Sequence, residues 1–336
     1  MVPLKLRQAI LMDTGHKSNK KTNLKSVLNF QTMTASLFLA VCVTLLCVSC
    51  SGRNIQSRSQ QEGIIAESKI AFESQGELLW QVYVMSPDGT KKINISNNKY
   101  DEGNISWSPD NKKITFVSNK SGHYQIYTMD PDGKNQVNIS NSIYDDFMTS
   151  WSPDGSKIAF ESIRDENWQI YIMDPDGKNQ VNITNNEFLN WHPAWSPDGS
   201  KIAYESRHYL DRSDYGKRQI YIMDPDGKNQ VNISNNEYID RHPAWSPDGS
   251  KIAFESYRDG HYQIYIMDPD GKNQVNISNN QHDDWYPTWA PDCSKIAFTS
   301  SRDNGTYQIY LMDADGKNQV NISNSTNMQS SPAWSK

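Results

Sequence analysis

The side chains best suited to chemistry in this sequence recur at one place in a repeating pattern. His192, His242 and Tyr286 each stand three residues before a tryptophan, at Trp195, Trp245 and Trp289. Two imidazoles and a phenol gathered at one point could share a metal ion or move protons on a sugar acid, as a lyase does. The same position elsewhere holds Asn104, Met148 and Ser331, so no third histidine completes a metal site. Other catalytic signatures are missing. The Asp-Pro-Asp-Gly-Lys-Asn segments, such as residues 174–179, have neither the spacing of a calcium loop nor its terminal Glu, and read as hairpin turns. No Gly-x-Ser-x-Gly elbow occurs. Cys293 is the one thiol beyond residue 50 and stands where other repeats have Gly155, Gly199 and Gly249, so it reads as a turn substitution. No catalytic residue, metal or cofactor is expected.

What positions these residues is a unit written six times from Lys69 onward. Each copy opens on an alternating strand of the type Lys-Ile-Ala-Phe-Glu-Ser, with its Ile at 70, 114, 158, 202, 252 and 296. A strand of the type Gln-Ile-Tyr-Ile-Met-Asp follows, then an Asp-Pro-Asp-Gly turn, a short Gln-Val-Asn-Ile-Ser strand, and a fourth element ending in Trp-Ser-Pro-Asp-Gly. The tryptophans recur at 107, 151, 195, 245, 289 and 334. Four short strands in a period of about 44 residues are the mark of a propeller blade, whereas a helical solenoid would show a 3.6-residue periodicity. The expected fold is all-β: a six-bladed β-propeller of four-stranded blades over residues 69–336. The chain enters on one strand of a blade and ends on another, so closure is expected by pairing residues 331–336 into the N-terminal blade, which removes free sheet edges.

The repeats differ in their connections, and this ranks the surfaces. The Ser-Pro-Asp-Gly and Asp-Pro-Asp-Gly turns barely change, while the loops before each inner strand vary freely and the fourth repeat adds six residues within 207–218. Varied loops suggest a contact surface, with drift on a tolerant surface as the alternative. Trp191, His192, Arg241, His242, Trp285 and Tyr286 cluster on three consecutive blades and form the candidate partner-binding set. Five residues before the tryptophans stand Glu102, Asp146, Asn190, Asp240, Asp284 and Gln329. The four acids, Glu102, Asp146, Asp240 and Asp284, could form a channel-mouth ring that attracts a cation or a basic segment, or could cap the start of the inner strand through backbone N–H groups.

The consensus Asp-x-x-Pro-x-Trp-Ser-Pro-Asp-Gly-x-Lys-Ile-Ala-Phe-x-Ser-x-Arg-Asp, followed by Ile-Tyr-x-Met-Asp-x-Asp-Gly, resembles the WD40-like repeat of the TolB family. Residues 240–259 with 264–271 show it nearly in full. The resemblance implies a six-bladed propeller in the bacterial periplasm or outside the cell. In TolB itself the propeller binds the peptidoglycan-associated lipoprotein and a separate N-terminal domain engages the inner-membrane side; here residues 50–68, rich in Ser, Gln and Arg, read only as a flexible tether.

Residues 1–49 carry six basic residues and one acidic residue, followed by an apolar run from Ala35 to Val48. This order is that of an export signal, and the run is short for a membrane span. Leu46-Cys47-Val48-Ser49-Cys50 is similar to a lipobox with Cys50 as the lipidated residue; an ordinary cleavage and a soluble secreted form is the alternative. The whole chain of 336 residues has a formal charge of −6, and without residues 1–49 it keeps 27 basic against 38 acidic residues, a charge of −11. Such a surface argues against nucleic acid as a partner. The sequence reading is therefore a non-catalytic monomeric scaffold of the cell envelope, periplasmic or outer-membrane-associated. It would bind a protein or cell-wall-associated partner, with the peptidoglycan-associated lipoprotein as the TolB-like example, and touch a membrane only through a lipid. The alternative is a uronate lyase-like propeller enzyme using the channel histidines.

Overall fold

The computed structural model describes residues 68–76, 78–208 and 217–336. Residues 1–49, read as an export signal, Cys50 and most of the stretch 50–68 read as a tether lie outside the described residues, as does much of the 207–218 insertion. The described residues form 24 strands in six four-stranded antiparallel sheets and no helix. The expected six-bladed propeller is what the chain builds.

The first blade shows how the ring closes. Its inner strand is β24 (Gln329–Trp334), followed outward by β1 (Ile70–Gln75), β2 (Trp80–Met85) and β3 (Ile93–Asn94). Ile70 pairs with Trp334 and Ala71 with Ala333, and Ser335 N–H donates to Lys69 O at 2.8 Å. The other five blades run in simple chain order. In the fourth, β12 (Leu189–Trp195), β13 (Ile202–Arg207), β14 (Arg218–Met223) and β15 (Val231–Asn232) go from the channel to the rim.

The core lies between blades. Alternate residues of the two middle strands face opposite neighbours, so Ile70, Phe72 and Met85 of the first blade pack with Ala297, Ile309 and Leu311 of the last. Phe72, Phe116, Phe160, Phe254 and Phe298, with Tyr204 in the remaining blade, are fully buried. Each such ring is worth about 1.5–3 kcal/mol of burial, so the repeat carries the same core contribution around the circle.

The uniform turns are internally satisfied. In Ser152-Pro-Asp-Gly, Ser152 Oγ donates to Asp154 and accepts from Lys157 N, while Gly155 N donates to Ser152 O. In the next hairpin Asp174 takes Lys157 Nζ at 2.5 Å and Asn179 Nδ2 at 2.6 Å. The carboxylates of the calcium-like segment are thus spent on lysine and asparagine, consistent with a hairpin turn. Cys293 occupies its turn with φ 62°, in the left-handed region that Gly155 adopts at φ 72°, consistent with a turn substitution.

Candidate functional site

Each inner strand is interrupted at one place by a β-bulge. The register with its neighbour shifts between Trp191 and Ala194, between Arg241 and Ala244, and between Trp285 and Thr288. The residue at the break has positive φ in every blade: 52° at Asn104, 46° at Met148, 53° at His192, 48° at His242, 53° at Tyr286 and 52° at Ser331. A non-glycine residue held there costs about 1–2 kcal/mol, and a bulge re-aims the side chain away from the sheet. These six side chains therefore line a central cavity of about 450 Å³ together with the proline and tryptophan residues of the same strands.

The bulges are held by the preceding blade. Tyr286 N donates to Glu255 at 2.7 Å, His192 N to Glu161 at 2.9 Å, Asn104 N to Glu73 at 2.7 Å, and Ser331 N to Thr299 Oγ1 at 3.1 Å. The glutamates come from the Phe-Glu-Ser end of the second strand, buried in an otherwise apolar element. Sequence reasoning treated them as strand consensus. The available signal was a charged residue repeated on the buried alternation.

Around His192 and His242 the polar groups converge. The two rings lie 3.8 Å apart between centroids, and His242 meets Tyr286 at 4.4 Å. His192 Nδ1 is 3.0 Å from Glu205 Oε2, and Arg218 donates to Glu205 Oε1 at 2.8 Å. His242 Nδ1 lies 2.7 Å from Glu255 Oε1 without the alignment of a hydrogen bond, and both ring nitrogens of His242 are buried without a hydrogen-bond partner. Burial pushes the Glu161 carboxyl up to about 7, only partly offset by His192. Burial would do the same to Glu205, but Arg218 and His192 outweigh it and hold that group well below the usual carboxylate range.

One residue before the bulge, Trp191, Arg241 and Trp285 stand on three consecutive blades at the variable-loop end of the strands, and with Arg218, Tyr262 and Tyr307 of the neighbouring strands they form a belt of rings and guanidiniums along that part of the mouth. Arg218 lies over Trp191 at 4.8 Å, Arg241 over Tyr262 at 4.8 Å, and Trp285 packs against Tyr262 at 6.5 Å and Tyr307 at 5.0 Å. Trp191, Tyr262, Trp285 and Tyr307 are half-buried, and Arg241 is nearly covered. The structure brings together all six residues of the candidate set: Trp191, Arg241 and Trp285 on the belt, and His192, His242 and Tyr286 in the channel.

The acidic ring is placed differently. Glu102, Asp146, Asp240 and Asp284 are fully buried within their blades and do not face the channel mouth. Asp146 takes Arg164 at 2.9 Å, Asp284 takes Arg302 through both oxygens at 3.2 and 3.1 Å, and Asp240 takes Ser256 and Asn236. Asn98 donates to Glu102 at 2.8 Å. Burial raises the carboxyls of Glu102 and Asp146, offset in part by Asn98 and Arg164 respectively. Their work is to tie the inner strand to its loop and its neighbour, and a field at the mouth cannot be assigned to them. A buried Gln in each blade does similar work: Gln169 donates to Phe188 O and accepts from Thr184 Oγ1 and Asn186 N, fixing the base of the variable loop.

Comparison with known proteins follows the same lines. The TolB beta propeller domain matches residues 62–160, 136–238 and 161–336. Among solved structures, TolB from Acinetobacter baumannii is 21% identical with a TM-score of 0.68, covering 83% of this chain and 73% of that one. A putative TolB from Agrobacterium tumefaciens is 23% identical with a TM-score of 0.61, covering 76% of this chain and 88% of that one. An oligogalacturonate lyase in complex with manganese is 16% identical with a TM-score of 0.55, covering 78% of this chain and 74% of that one. No curated protein matches the sequence. With six repeats of one blade and a family match that runs from residue 62 to the last residue, the chain belongs to the TolB beta propeller domain family.

Proposed function

We propose that this chain is a non-catalytic propeller of the cell envelope that binds a protein or cell-wall-associated partner through its variable-loop face. The observation that carries the reading is the belt of Trp191, Arg241, Trp285, Tyr262 and Tyr307. Tryptophan, tyrosine and arginine are the residue types that dominate binding energy at interfaces, and the four rings of the belt are half-buried while Arg241 is nearly covered. Here they sit at the end of the strands where the sequence varies, while the nearly uniform turns at the other end spend their polar groups on one another. A partner of the peptidoglycan-associated lipoprotein kind and an exported location, periplasmic or outer-membrane-associated, are what the resemblance to TolB implies. Cys50 is proposed as the lipidated N-terminus; mass spectrometry of the mature protein decides between a diacylated Cys50 and an ordinary cut.

The test is binding of the peptidoglycan-associated lipoprotein from the same envelope, by calorimetry, to wild type and to a Trp191→Ala/Arg241→Ala/Trp285→Ala variant with an unchanged melting temperature. Loss of binding in the variant supports the assignment; equal binding by both forms, or none by wild type, removes this partner and this face. A second reading, a uronate lyase-like enzyme, is favoured by the contact of His192, His242 and Tyr286 inside a cavity. Release of unsaturated products from uronic-acid oligomers would establish it, and no turnover with or without added divalent metal would dismiss it.

A further inference from the structure

We propose that His192, Glu205 and His242 bind a divalent first-row transition-metal ion at the centre of the ring, whichever of the two readings above holds. One ligand atom from each residue lies within 4.8 Å of the others. His192 Nδ1 and Glu205 Oε2 are 3.0 Å apart as a hydrogen-bonded pair, a few tenths of an ångström short of the separation of about 3.4 Å between two tetrahedral ligands each about 2.1 Å from an ion. The sequence pattern counted histidines and stopped at two. The third donor comes from the second strand, β13, so it has no counterpart in the inner-strand ring.

The surroundings suit an ion. His242 Nε2 and Glu255 Oε2 are buried with no hydrogen-bond partner, and His242 Nδ1 lies 2.7 Å from Glu255 Oε1 without a hydrogen bond's alignment. Buried polar atoms are normally satisfied, and an unsatisfied cluster asks what is missing. Arg218 holds Glu205 by Oε1, the way an outer partner orients a ligating carboxylate, and Oε2 is the oxygen that pairs with His192 Nδ1 and that an ion would take over. Three carboxyl groups (Glu161, Glu205 and Glu255) stand beside two guanidiniums (Arg218 and Arg241), so no surplus of positive charge repels a cation. Two imidazoles and one carboxylate suit zinc, manganese or ferrous iron, whereas calcium and magnesium prefer all-oxygen sets. Three protein donors leave a coordination position open, and His192 and His242 both line the cavity that would supply water or an acidic group of a ligand.

The full chain, stripped with EDTA, is titrated with zinc by calorimetry, and cobalt substitution is followed by visible absorption. One ion per chain with micromolar or tighter affinity is expected. His192→Asn and His242→Asn are the chosen variants because Asn104 holds the same positive-φ bulge in another blade. Each should weaken zinc binding at least 100-fold with an unchanged circular dichroism spectrum, and Glu205→Gln at least tenfold. If the double Asn variant does not fold, the single variants decide. No zinc bound by wild type overturns the proposal, as does unchanged affinity in the Asn variants, which would place the ion elsewhere, for example on the thiols of Cys42, Cys47 and Cys50.

Discussion

Two glycines with nearly the same backbone separate the cost of a left-handed turn from the cost of blade packing. Gly155 has φ 72° and Gly177 has φ 83°, so an alanine at either pays about 1–2 kcal/mol for the conformation itself. Beyond that they diverge. A Cβ on Gly155 would meet Pro109 Cγ at 3.3 Å, a ring edge that can yield by a few tenths of an ångström. A Cβ on Gly177 would lie 1.8 Å from Ile139 O and 2.8 Å from its carbonyl carbon, in the backbone of the preceding blade. That backbone must move by more than an ångström, at the point where Gln180 also donates to Ser140 O across the same seam. Gly155→Ala should cost about 1–2 kcal/mol, and Gly177→Ala about 3–5 kcal/mol, in the range of a severe core substitution. Equilibrium urea unfolding followed by tryptophan fluorescence reads the difference, with Gly155→Asn as a near-neutral control because Asn111 sits at φ 58° in the equivalent turn. Equal destabilisation by the two alanines, within 0.5 kcal/mol or so of one another, would refute the claim that the second turn is a blade-to-blade contact.

Removing residues 331–336 should lower stability by several kcal/mol, since the loss of buried Trp334 alone is worth about 3–5 kcal/mol; an unchanged melting temperature would exclude closure by β24. Arg302→Ala should cost about 3–5 kcal/mol by stranding buried Asp284, while Asp284→Asn should cost less because Asn190 fills that position in another blade; urea unfolding giving the opposite order would contradict the pairing. Glu102→Gln tests the pH dependence. The Glu102 carboxyl is raised in the folded state by burial, so folding takes up a proton and stability falls as pH rises from the unfolded value near 4.5 through the raised one. The variant should remove that slope and gain on wild type as pH rises above about 4.5 in urea titrations, and a gain confined to more acidic pH would reverse the sign and refute it.

The blade was legible because its information is local. Alternating apolar strands, a Pro-Asp-Gly turn and a closing Trp each fix geometry over a few residues, and repetition turned those local signals into a ring whose closure followed from where the chain breaks into the cycle. The sequence also grouped the six residues of the candidate set, since counting back from each Trp identifies equivalent positions without any knowledge of their surroundings. The acidic ring was misplaced for the same reason. Equivalence says that Glu102, Asp146, Asp240 and Asp284 occupy one site, but their burial depends on Arg164, Arg302 and Asn236, side chains that lie up to 18 residues away in sequence. Glu205 was missed because its partner His192 is on a different strand and only the register of β12 on β13 brings the two together.

The bulge explains how one recipe can carry an asymmetric site. The strain of positive φ is common to all six inner strands, and in four of them the N–H at the bulge is satisfied by a side chain from the preceding blade. Because the backbone is held from behind, the side chain at that position contributes little to blade folding and is free to be Asn, Met, His, Tyr or Ser. Two histidines and a tyrosine on consecutive blades therefore cost the fold little beyond what asparagine or serine costs there, and they place three polar rings in contact at the axis. His242→Asn should leave urea stability within about 1 kcal/mol of wild type, because Asn104 holds the same positive-φ bulge in another blade. A loss of 3 kcal/mol or more, the scale of a core defect, would mean that the histidine ring itself holds the inner strands together, and the channel would then be read as packing and not as a site.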